Sequence, residues 1–159
     1  MLKQIKDNKG FTIIEVMIVL AIAGLIMLVV FLAVPTLQRN SRNTQRRSDV
    51  NNMLGAINDY VSNNNGALPA AGSCTFTSNS CAMSGMTFKT SYYQNGTVTL
   101  AATCAGASCG AAQPDTDTVK IFEGADCSGA GNTPATASKR SLAAWFATEP
   151  GTTSQCIAS

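Results

Sequence analysis

Glu15 stands at the edge of nineteen residues, Val16–Val34, that carry no charged or strongly polar side chain. A carboxylate beside such a run is costly to place in hydrocarbon, so it needs a counter-charge or a hydrogen-bonding partner. The other reactive groups lie far along the chain. Cys74, Cys81, Cys104, Cys109, Cys127 and Cys156 are an even set with no Cys-x-x-Cys spacing, and the chain has no histidine. That combination points to disulfides formed in an oxidising space, not to zinc or redox catalysis. Local pairing suggests Cys74–Cys81 and Cys104–Cys109, with Cys127–Cys156 closing a loop of about thirty residues. Other pairings stay open.

The lack of histidine excludes Ser-His-Asp and Cys-His catalysis, and no phosphate-binding loop is present. Asp115, Asp117, Glu123 and Asp126 surround one expected strand, the kind of cluster that can hold calcium. At strand spacing Asp117 and Glu123 stand roughly 20 Å apart, so one metal site using them all is not expected. No cofactor is implied. Arg39, Arg42 and Arg46 share a helix face, with Arg47 beside it. A solvated face is the favoured reading, ahead of pairing with acidic residues of another subunit or binding DNA. Trp145 and Phe146 read as filling for a core and its edge.

The elements that position these groups follow from periodicity. Nineteen apolar residues in a helix span about 28 Å, one bilayer's hydrocarbon thickness. A secretory signal fits poorly, because its apolar region runs to only about 7–15 residues. Lys3, Lys6 and Lys9 precede the span and the four arginines follow it, so charge does not settle its orientation. The cysteines place the C-terminal part outside the cytoplasm. After Pro35, the residues Val50, Met53, Leu54, Ile57, Tyr60 and Val61 recur at helical spacing. A helix is therefore expected from near Phe11 to about Asn63, stopped by Asn63-Asn64-Asn65-Gly66 and by Pro69. Gly24 and Pro35 are its expected points of flexibility.

At 159 residues the chain suggests one domain, and about 125 residues outside the apolar segment can build one modest core. Composition turns to Ala, Gly, Ser and Thr beyond residue 66. "TFKTSYYQNGTVTL" reads as a hairpin turning at Asn95-Gly96, with Tyr92, Tyr93, Val98 and Leu100 flanking it. Residues 118–124 and 141–147 read as further strands. Asn95-Gly96-Thr97 also fits a glycosylation sequon, a weaker reading than the turn.

A basic leader ending in Gly10, then Phe11, then Glu15 and an unbroken apolar span form a recognisable constellation. "KGFTIIEVMIVLAIAGLI" closely resembles the signal of type IV pilins and the related pseudopilins. The resemblance implies an α+β fold: a long N-terminal helix, hydrophobic then amphipathic, packed on a small disulfide-bonded antiparallel sheet. It implies a leader at 1–10, a transmembrane and filament-core helix at 11–35, an amphipathic helix at 36–65 and a head at 66–159. A prepilin peptidase of the inner membrane would cut between Gly10 and Phe11 and methylate the new amine of Phe11. Gly10, lacking a side chain, would let the backbone extend into the protease site. Glu15 would pair with the Phe11 amine of a neighbouring copy in a homo-oligomeric filament. The function implied is the subunit of a type IV pilus for adhesion and motility, built by assembly machinery in the cytoplasmic membrane. A pseudopilin of a type II secretion system and a DNA-uptake competence pilin are the alternatives. Two points qualify the match. Pro35 lies about three residues later than the family's usual proline. The leader also holds three of the eleven Lys/Arg and one of the nine Asp/Glu, leaving eight of each in residues 11–159. A formally neutral mature chain does not support a general nucleic-acid coat.

Overall fold

The computed structural model describes residues 10–101, 104, 109, 111–127, 133–138, 140–151 and 153–159. The leader lysines lie outside them. The chain divides into two compact units, residues up to Gln38 and residues Arg39–Ser159.

Helix α1 covers Ile13–Asn63, close to the span expected from the apolar run and the stripe that follows. It continues through Pro35, where the hydroxyl of Thr36 donates to the carbonyl of Ala33 at 2.8 Å. It ends where the chain turns left-handed. Asn65 and Gly66 have φ of 56° and 82°, and the Gly66 N–H donates to the Val61 carbonyl at 2.8 Å. Glycine and asparagine tolerate that backbone best, and the bond satisfies a carbonyl that the helix leaves unpaired.

In the second unit a five-stranded sheet is ordered β1-β4-β5-β8-β9, with β1 Gly72–Thr75, β4 Thr97–Ala101, β5 Thr118–Glu123, β8 Leu142–Thr148 and β9 Thr153–Ala158. The strands read at 118–124 and 141–147 are β5 and β8. Two short ribbons accompany the sheet: β2 Ser80–Met83 with β3 Met86–Lys89, and β6 Ala125–Cys127 with β7 Pro134–Thr136.

Strand alternation sorts the side chains into two cores. Val119, Ile121, Leu142, Ala144 and Phe146 join Val50, Met53, Leu54 and Ile57 of α1, with Phe88 of the β2–β3 ribbon. Tyr60 and Val61 pack at its margin. On the sheet's other face Phe122, Ala143 and Trp145 pack with Ala125 and Cys156. Disulfides join Cys74 to Cys81, Cys104 to Cys109 and Cys127 to Cys156. The first ties edge strand β1 to β2, and the third ties edge strand β9 to β6. Edge strands carry unpaired backbone groups that invite other chains, so each edge of this sheet has a ribbon fastened beside it.

The hairpin expected at Asn95-Gly96 does not form. β4 pairs antiparallel with β1 and parallel with β5, so the sheet is mixed and only mostly antiparallel. Tyr92 and Tyr93 belong to the loop that leads into β4. Gly96 serves a close approach: a Cβ there would lie 2.4 Å from the Asp117 carbonyl oxygen and 3.1 Å from the Tyr93 Cβ.

Candidate functional site: the start of the helix and the polar seam of the head

Gly10 and Phe11 lie just ahead of α1, and Phe11 is 85% exposed. Thr12 is the N-cap. Its carbonyl accepts the N–H of Val16 at 3.4 Å, which opens the helical ladder. Its N–H and hydroxyl donate to Oε2 of Glu15 at 2.9 and 2.7 Å, and its Oγ1 accepts the Glu15 N–H at 3.3 Å. This is a capping box, in which two N-terminal donors of a helix are satisfied reciprocally. Thr12 was passed over in the sequence, although Thr-x-x-Glu before an apolar run is the pattern that announces such a box.

From Ile13 to Leu37 the large apolar side chains face outward, Phe31 at 75% and Leu32 at 72% exposure. A surface of that extent in water marks contact with lipid or with another protein. Among the described residues α1 is the one helix long and apolar enough to cross a membrane. Gly24 lies within this stretch, and a Cβ there would meet nothing within 4 Å. Packing inside the chain therefore does not demand a glycine at that position.

The arginine face is solvated only in part. Arg42 forks onto Glu149, with Nε 2.7 Å from Oε1 and Nη2 2.6 Å from Oε2. Asn43 brackets the backbone of the same residue, accepting its N–H at 2.8 Å and donating to its carbonyl at 3.3 Å. Arg46 is 1% exposed. It donates to the Ala147 carbonyl at 2.9 Å and to the Tyr92 hydroxyl at 2.5 Å, and lies 3.4 Å from Glu149 Oε1. Its guanidinium also sits 4.3 Å from the centre of the Tyr92 ring, a cation–π contact. One helical turn on, buried Asp49 accepts from the Thr90 hydroxyl and from the N–H groups of Ser91 and Tyr92, the last two at 2.9 and 2.7 Å. Arg42, Asn43, Arg46 and Asp49 thus form a polar seam that fixes the 90–93 loop and the β8–β9 turn to the helix. Arg39 and Arg47 stay exposed.

The hydrogen bond from Arg42 holds the Glu149 carboxyl below its ordinary range. Burial pushes the Glu123 carboxyl up, and its Oε1 has no hydrogen-bond partner among the described residues. Asp115, Asp117 and Asp126 are exposed, Asp126 accepting the Cys127 N–H at 2.7 Å. Among the described residues no three His, Cys, Asp or Glu side chains converge on a metal position.

Residues 5–31 match the family model for the prokaryotic N-terminal methylation motif. The match brackets Gly10, Phe11, Thr12 and Glu15 and ends within the apolar part of α1. No curated protein and no solved structure is matched by this chain.

Proposed function

We propose that this chain, a type IV pilin-like precursor by its methylation motif, is the structural subunit of a type IV pilus. A membrane-embedded prepilin peptidase cuts between Gly10 and Phe11 and methylates the freed amine of Phe11. Residues 1–10 leave as the leader. Residues 11–35 first hold the subunit in the membrane and then become filament core. Residues 36–65 continue as amphipathic helix, and 66–159 form the head.

One observation carries this reading: a lone carboxylate at the start of an exposed apolar helix, five residues after the glycine of the motif. The apolar surface from Ile13 to Leu37 needs cover in both states. Lipid supplies it before assembly, and the same surface of neighbouring copies supplies it afterwards. Cleavage creates a positive amine on Phe11. In the stack that amine meets Glu15 of the adjacent copy, and each group removes the other's cost of leaving water. Only the correct axial stagger satisfies both, so the pair sets register. Arg42 and Arg46 are already paired with Glu149 of the head, which weakens the DNA-binding alternative. The role asks for no cofactor and no catalysis by this chain.

The test is electron microscopy of filaments sheared from the cell surface, with mass spectrometry of their subunit. Filaments built of this chain and beginning with N-methylated Phe11 are expected. Protein confined to the envelope without filaments would overturn the reading in favour of a pseudopilin.

A further inference from the structure

Among the described residues, every side-chain hydrogen bond of Glu15 runs to one residue that the assembly reading leaves unused. Thr12 spends both its donors on the same carboxylate oxygen, Oε2, and takes the Glu15 N–H on its own Oγ1. Oε1 makes no hydrogen bond among the described residues. A glutamate without such ties samples several staggered rotamers at each of its torsions, and ordering it at the moment of docking costs conformational entropy. Here the carboxylate is held at one oxygen and open at the other. The isoleucines between the two residues, Ile13 and Ile14, offer no side-chain donor. Cleavage after Gly10 leaves the Thr12 amide and hydroxyl untouched, so the arrangement outlasts processing.

We infer that Thr12 is a positioning residue for assembly: it pins Oε2 of Glu15 and so presents Oε1, already oriented, to the Phe11 amine of a docking second copy. This rests on the reading that Glu15 receives that amine. It assigns the Thr12 hydroxyl the second of two ties on Oε2, so that a side chain without it leaves the carboxylate held by the backbone amide alone.

Three variants separate the two ideas: Thr12→Val keeps the shape and removes the hydroxyl, Thr12→Ser keeps the hydroxyl, and Glu15→Ala removes the acceptor. One readout is exchange of the residue-15 amide proton in the full chain embedded in lipid nanodiscs. The other is the rate at which filaments regrow after shearing, in cells making only the variant. Thr12→Val should speed that amide's exchange about fivefold, the size of a lost helix cap, and slow regrowth by a similar factor. Thr12→Ser should restore both to near wild type. Wild-type regrowth by Thr12→Val overturns the proposal, as does a Thr12→Ser variant as slow as Thr12→Val. If Glu15→Ala regrows normally, the charge pair itself fails and takes the proposal with it. If Glu15→Ala is slow while Thr12→Val is normal, only the positioning role fails.

Discussion

The two stretches of α1 treat side chains in opposite ways. Up to Leu37 the helix exposes Ile, Leu, Val, Met and Phe and buries none of them, whereas from Arg46 to Ile57 it buries an arginine and an aspartate among its apolar residues. In the later stretch every buried charge has a partner from the same chain: Tyr92, Ala147 and Glu149 for Arg46, and the 90–92 backbone and hydroxyl for Asp49. In the earlier stretch the large apolar side chains lie exposed among the described residues. The contrast locates where each half finds its complement. The later half is completed by its own head. On the proposed reading, the earlier half is completed by lipid and then by other copies, and so carries the work of assembly.

The sharpest way to break this division is to stop the early half from being freed. On the proposed processing, Gly10→Val puts a branched side chain at the bond to be cut, where an extended backbone enters the protease. Processing should be abolished, leaving intact precursor in the membrane. Intact-mass analysis that finds the same mature mass as wild type would remove the special status of Gly10.

The later half can be broken without touching assembly chemistry. Asp49→Ala leaves the Thr90 hydroxyl and the Ser91 and Tyr92 N–H groups without their acceptor. Head stability should fall by roughly 3 kcal/mol, the scale of removing one partner from a buried charged network. Denaturant unfolding of the detergent-solubilised subunit, followed by Trp145 fluorescence, measures it. An unchanged midpoint would mean that the seam adds nothing to the head.

The smallest effect belongs to the rim of the seam. Arg42 and Glu149 are both partly solvated, with side-chain exposures of 42% and 17%, and such pairs add little. Arg42→Gln should destabilise the head less than Asp49→Ala does. The pair should also show in the pH dependence. Glu149 has its pKa lowered in the fold from the ordinary 4.5 by the Arg42 hydrogen bond, so the unfolded chain takes up that proton first as pH falls. Its contribution is therefore complete above about pH 5 and is lost as pH drops through 4.5 towards the lower folded value. Unfolding curves at pH 7 and pH 3 should converge for Arg42→Gln and wild type at the acid end. A gap that stays constant with pH would assign the effect to packing of the Arg42 stem.

How much of this could be read beforehand depended on distance along the chain. The helix from Ile13 to Asn63 and the strands β5 and β8 were legible, because each rests on a local period that nothing elsewhere overrides. The turn at Asn95-Gly96 was misread. Its glycine answers to the carbonyl of Asp117, and no dipeptide pattern reports a neighbour on a parallel strand. The arginine face was misread for the same reason. Arg46 falls on the stripe of Val50, Met53 and Ile57, but its partners Tyr92 and Glu149 lie 46 and 103 residues away, so nothing local shows how its charge is met. Within the candidate site, Gly10, Phe11 and Glu15 were named from the resemblance that their motif carries. Thr12, three residues from its partner, is a neutral hydroxyl, so it does not stand out as an answer to the Glu15 charge although it caps the helix.

The most direct measurement of the central claim compares membrane-held subunit with sheared filament for Glu15→Ala, with Glu15→Gln beside it. The exposed apolar helix is untouched, so membrane insertion should equal or exceed wild type, and cleavage after Gly10 should persist. Filament yield should collapse for Glu15→Ala and be at best intermediate for Glu15→Gln, which keeps the shape but cannot neutralise the Phe11 amine. Wild-type amounts of filament from Glu15→Ala would contradict the account, and Glu15 would then be no more than the closing residue of a helix cap.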